Sequence, residues 1–176
     1  MHVDPAELSI LTYPASALRR VAETVEEIDE GVRVVANRMI ELTREARGVG
    51  LAAPQVGVSW RLFVTVGPED EPARVYVNPH LSEFIQVPVV REEGCLSLPG
   101  INVDIRRPAG CMITAMDLDG REFTLTRDDL LARVWQHETD HLNAILIIDK
   151  MSVLDRLANR KLIKELEAAA VPWAEG

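Results

Sequence analysis

Leu130-Leu131-Ala132-Arg133-Val134-Trp135-Gln136-His137-Glu138-Thr139-Asp140-His141-Leu142 is the stretch on which the fold turns. Leu130, Leu131, Val134, Trp135, Leu142 and, just beyond, Ile145 form a broad apolar face, about 140° wide at about 100° per residue. A helix with so much apolar surface is normally buried. The pattern therefore predicts a central helix from near Arg127 to near Asn143, packed against sheet on several sides. Thr126, with Asp129 three residues later, fits an N-terminal capping pair.

His137 and His141 lie on one face of that helix, one turn apart and within about 40° of each other. Two imidazole nitrogens so placed can reach one divalent ion about 2 Å away. Glu138 sits beside the face, where its carboxylate can take a proton from activated water and hand it to a leaving group. Two core histidines beside a surface glutamate are the bland alternative, but buried imidazoles need partners. The His-Glu-x-x-His pattern predicts metal-assisted hydrolysis and leaves the enzyme class open, since several protease families share it.

A catalytic site of this kind takes three protein ligands. The extended protease pattern wants glycine three residues after the second histidine and histidine six after; Ala144 and Ile147 stand there and exclude it. A zinc endopeptidase taking Glu165 or Glu167 from a later helix stays open on spacing. The other candidate is Cys95, in Glu92-Glu93-Gly94-Cys95-Leu96-Ser97. A thiolate beside two imidazoles suits iron or zinc, although a lone cysteine often serves as a small buried hydrophobe. Gly48-Val49-Gly50-Leu51-Ala52-Ala53-Pro54-Gln55 is the third landmark. Its glycines permit positive φ or close backbone approach, and Gln55 offers a neutral amide donor.

Working outward, Ile28, Val32, Val35, Met39, Leu42 and Ala46 recur at three- and four-residue spacing and predict an amphipathic helix over 25–47, ended by Gly48 and Gly50. Strands are expected at 62–66, 75–77 and 84–90, punctuated by Pro68, Pro72, Pro79 and Pro88. Segments 112–117 and 121–126 flank Asp119-Gly120, a two-residue hairpin signal. A last helix is expected over 152–170, with Arg156, Arg160 and Lys164 in one basic row. That row reads as a solvated face, the alternative being a surface that docks an acidic partner such as the ribosome. Cys111 reads as a mid-strand core residue.

The chain of 176 residues has a net charge of −9, which argues against general nucleic-acid binding. Two cysteines do not make a disulfide scaffold and suit a reducing compartment. The opening Met1-His2-Val3-Asp4-Pro5 is not a basic stretch followed by an apolar one. No apolar run approaches the roughly 20 residues that span a bilayer. We expect one domain over 1–176, in the cytoplasm and off the membrane.

Together, segments 48–55, 93–97 and 136–142, in this order and at these separations, resemble the three signature motifs of the peptide deformylase family. The resemblance covers about residues 10–150. It implies an α+β fold in which antiparallel β-sheets wrap a central metal-binding helix, with an N-terminal and a C-terminal helix. It implies metal ligation by Cys95, His137 and His141, with Glu138 as general acid/base. Oxyanion stabilisation falls to the Gln55 side-chain amide and the Leu96 backbone N–H. The implied metal is ferrous iron, often exchanged for zinc, nickel or cobalt. The implied reaction removes the formyl group from the first methionine of new proteins and releases formate. The backbone around Val49, Gly50 and Gly94 would hold an extended peptide, and Leu130 and Val134 would line a methionine pocket. Two positions depart from the family pattern. Ala144 stands where glycine is usual, which costs strain only if φ is positive, and Ile147 stands where an aromatic is frequent.

Overall fold

The computed structural model describes residues 4–67 and 72–169; Pro68 and the last residue of the expected C-terminal helix lie outside them. Five strands, β1 (Gly50–Ala52), β2 (Leu62–Thr65), β3 (Arg74–Gly94), β4 (Asn102–Met116) and β5 (Glu122–Arg127), pair in chain order into one antiparallel sheet. The helices are α1 (Glu30–Glu45), α2 (Leu130–Leu142), α3 (Ile147–Lys150), α4 (Val153–Ala158) and α5 (Arg160–Ala168). The α+β architecture expected from the resemblance is present, with one continuous sheet in place of several.

Strand alternation sorts the core into layers. Leu51, Leu62, Val64, Val75 and Val77 join Val32, Val35, Ala36, Met39 and Leu42 of α1 in one apolar cluster. The intervening Ala52, Phe63 and Tyr76 point the other way, to Ala132, Trp135 and Leu142 of α2, together with Cys111, Ile113 and Ala115 of β4. A third cluster packs Val103 and Ile105, at the opposite end of β4, against Ile147, Ile148 and Met151. The buried central helix read from the sequence is thus in place. Trp135 meets Tyr76 edge-on at 6.0 Å and donates its indole N–H to the Tyr76 hydroxyl at 3.0 Å, supplying the partner a buried indole needs.

Several boundaries move for identifiable reasons. Helix α1 begins at Glu30 because Asp29 caps it, accepting from Val32 N–H at 2.9 Å. Val25 lies before the helix, its N–H bonded to Asn78 Oδ1. Helix α2 is capped by Asp129 itself, whose Oδ1 accepts from Leu131 N–H. Thr126 remains in β5, opposite Met112, so the expected capping pair does not form. The hairpin loop has three residues, Leu118 to Gly120, between Asp117 and Arg121, which are joined by a backbone bond. Gly120 takes φ 75°, as in a type I turn closed by a left-handed residue.

The segments expected at 75–77 and 84–90 fuse into the single long β3. Its pairing with β4 slips between Val77 and His80 and twice more before Pro88. Asn78 and Glu83 take positive φ there. Beyond Val77, β2 no longer pairs with β3, so Pro79 and Pro88 sit on an edge where a missing N–H is tolerated.

The expected helix over 152–170 is two helices. Asn159 breaks it by bonding its side-chain amide to Asp155 O at 2.9 Å, the competition with backbone that makes asparagine a poor helix interior. Arg156 of the basic row turns back to donate to the Ile148 carbonyl.

Ala144, just past α2, has φ 60°, the left-handed region that costs a residue bearing Cβ about 1–2 kcal/mol. Ala144→Gly should stabilise the protein by about 1 kcal/mol, read as a higher denaturant midpoint at unchanged m-value.

Candidate metal centre

Cys95 lies just past the end of β3, and His137 and His141 stand one turn apart on α2. His141 Nε2 is 3.3 Å from both Cys95 Sγ and His137 Nε2. The three donor atoms all lie within 4.8 Å of one another. Donors 2.0–2.3 Å from one ion at tetrahedral angles lie about 3.3–3.6 Å apart, so the set fits a single divalent ion. The electrostatics agree. Burial would lower the His137 pKa, but hydrogen bonds with Cys95 and Glu93 outweigh it and raise it to about 10. Burial and the nearby His137 hold His141 well below its usual value. The cluster thus favours one positive charge where its donors meet.

Glu138 is 4% exposed, and its Oε2 has no hydrogen-bond partner among the described residues. Burial raises its pKa to about 7, against the pull of His137 and Arg107. A carboxyl poised there can both accept and release a proton near neutral pH. Gln55 sits in the 3-10 turn Ala53–Val56, also buried. Ala52 N–H donates to its Oε1 at 2.8 Å, which fixes the amide so that Nε2 lies 3.1 Å from Ser97 Oγ and 3.6 Å from Cys95 Sγ.

One cavity of about 470 Å³ gathers Val49, Gly50, Gln55, Gly94, Cys95, Leu96, Leu130, Val134, His137 and Glu138. It brings together every site residue expected from the sequence except His141, which is buried behind the other two ligands. Glu165 and Glu167 lie elsewhere: Glu165 faces Lys161, and Glu167 accepts from the Tyr13 hydroxyl. The glycines serve close approach. A Cβ on Gly50 would meet Glu138 Oε1 at 2.5 Å, and one on Gly48 would meet Leu96 Cδ1 at 2.8 Å.

The profile of the polypeptide deformylase family matches residues 7–157. The chain belongs to the peptide deformylase family. A peptide deformylase of Thermodesulfovibrio yellowstonii is 41% identical over 162 residues, covering 90% of this chain and 98% of that one. The solved peptide deformylase of Legionella pneumophila is 38% identical, with TM-score 0.85 over 93% of this chain and 99% of that one. A plant peptide deformylase, 31% identical, superposes with TM-score 0.90 and covers all of both chains. The protein is therefore an enzyme of a metal-dependent family.

A second layer of this deformylase site escaped the sequence reading. Glu93, 8% exposed, accepts from Arg107 Nε and Arg133 Nη1 at 2.6 Å each and lies 3.0 Å from His137 Nδ1. Arg107 continues to Asp140 at 2.7 Å, which also pairs with Lys150. With Nδ1 engaged by a carboxylate, His137 keeps Nε2 turned toward His141 and Cys95, the arrangement in which a carboxylate orients a metal-binding imidazole. The available signal was Arg133, a charge set among Leu130, Leu131, Val134 and Trp135 on a helix read as buried, which required a buried partner.

Burial would raise the Glu93 pKa, but His137 and Arg107 hold it well below its ordinary 4.5. A depressed folded-state pKa stabilises above the unfolded value and loses that stability as pH falls. The stability contributed by Glu93 should therefore be complete above about pH 4.5 and decline below it. Glu93→Gln, which leaves two arginines under-neutralised, should cost about 3 kcal/mol and weaken metal affinity about 10–100-fold. Denaturation from pH 3 to 7 and metal titration would check both.

Proposed function

We propose that this chain removes the N-formyl group from the amino-terminal methionine of newly made proteins, releasing formate. The observation that carries this reading is the convergence of Cys95, His137 and His141 at the cavity that Cys95 and His137 line together with Glu138 and Gln55. We assign ferrous iron to the three ligands, which would also accept zinc, nickel or cobalt. When bound, the ion supplies Lewis acidity, lowering the pKa of water and polarising the scissile carbonyl.

The chain's own groups do the rest. Val49, Gly50 and Gly94 lay an extended peptide along exposed backbone, and Leu130 and Val134 receive the methionine side chain. Glu138 takes the proton released as water attacks the formyl carbon. It delivers that proton to the amide nitrogen as the C–N bond breaks, so a free amine and formic acid leave, the acid giving its remaining proton to solvent to become formate, and the Glu138 carboxylate is restored. The Gln55 amide and the Leu96 N–H meet the negative charge that develops on the formyl oxygen, each such donor contributing about 10²–10³ in rate. Residues 1–176 form one catalytic domain in this reading, acting in the cytoplasm close to the ribosome that makes its substrates.

Anaerobically prepared protein should release formate from formyl-Met-Ala-Ser, and Cys95→Ser should lose most metal and activity; full metal content and turnover in that variant would refute the assignment. Gly50→Ala should displace the Glu138 carboxylate and lower kcat by about 10² while leaving metal content intact, as steady-state kinetics and metal analysis would establish.

A further inference from the structure

Gln136, Thr139, Asp140 and Asn143 lie about 80–180° around α2 from the mean direction of His137 and His141, at about 100° per residue. They line a second cavity, of about 410 Å³, whose other walls include Arg61 before β2, His80 of β3 and Lys150 at the end of α3. The reaction proposed above gives this cavity no part.

Its charge is lopsided. Arg61, Arg107 and Lys150 face it with Asp140 as the one carboxylate among its lining residues. Counting Glu93 and Arg133, which complete the ion network, four cations meet two carboxylates. Arg61 uses one guanidinium nitrogen on Asn143 Oδ1 at 3.0 Å and pairs with no carboxylate among the described residues. In a chain of net charge −9, such a concentration of positive charge is the kind of concavity that gathers anions. A second observation points the same way. Thr139 lines the cavity, and its Oγ1, shielded from solvent, has no hydrogen-bond partner among the described residues; a turn about χ1 would present it to the cavity. A buried hydroxyl left unpaired is costly, and a bound acceptor would remove that cost.

We propose that this cavity binds a small oxyanion, with Arg61 and Lys150 meeting its charge and the Thr139 hydroxyl donating to it. Carboxylates and phosphates share this chemistry, and an oxyanion acceptor suits both a guanidinium fork and an ammonium. The site is separate from the metal centre and does not depend on the reaction proposed above.

The test is calorimetric titration of the metal-loaded protein with inorganic phosphate and, separately, with formate, in chloride at constant ionic strength. At least one should bind. Arg61→Gln combined with Lys150→Gln should weaken that binding tenfold or more, and Thr139→Val should weaken it severalfold. Turnover of formyl-Met-Ala-Ser should be unchanged in Arg61→Gln, and far-UV circular dichroism should be unchanged in the double variant. If its fold is perturbed, the same comparison is made with Arg61→Gln alone, for which a loss of threefold or more is expected. Binding of phosphate alone identifies a site for exogenous phosphate groups. Binding of formate identifies a second station for the carboxylate product. An anion that binds the substituted protein equally well binds outside this cavity; if the substitutions weaken the binding of neither anion, or neither binds, the proposal is overturned.

Discussion

A carboxylate taken out of water costs several kcal/mol unless cations and donors meet it, and Glu93 is met on every side. Arg107 reaches it from β4, and Arg133 and His137 from α2. Arg133 also donates to Ile105 O and Val89 O, tying the same helix to two strands. One buried charge thereby locks the helix that carries His137 and His141 to the strand just past whose end Cys95 lies. Losing any member leaves an uncompensated charge in the interior, so the register of α2 against the sheet and the orientation of His137 are set together.

How much of this was legible depended on the kind of signal. The burial of α2 was legible from Leu131, Val134, Trp135 and Leu142, which form one apolar arc about 100° wide; the rest of the helix is buried through Arg133, Gln136, Glu138 and His141, which the apolar pattern does not announce. His137, Glu138 and His141 were legible because their contact is local, fixed by helix geometry. Cys95 and Gln55 reach that helix across the fold, and spacing alone left Cys95 level with Glu165; the resemblance singled it out. Glu93, Arg107 and Arg133 were not legible as a group. Their partnership depends on strand register, which residue types do not encode singly. The element ends failed for a related reason: Asp129, Asn159 and Asp29 act through side chains whose choice of backbone partner is settled only in three dimensions.

The glycines of the loop from Gly48 to Gln55 show how packing and chemistry meet. At Gly50 an added Cβ would meet the Glu138 carboxylate and Val134, so the absence of a side chain there is what lets that carboxylate approach the backbone of β1. Gly48 gives the same room to Leu96. The close contact between β1 and α2 is therefore a feature of the site as much as of the core.

The slips along β3 have a further consequence. Past Val77 the strand is an open edge carrying Phe84, Ile85, Val87 and Val90, each more than a third exposed. A flat edge of that composition would template pairing with another chain and invite aggregation. The left-handed turns at Asn78 and Glu83, and Pro88, which has no N–H to offer, deny it a continuous row of donors. The irregularity that hid β3 from the sequence pattern is thus also what guards an apolar border against fibril growth.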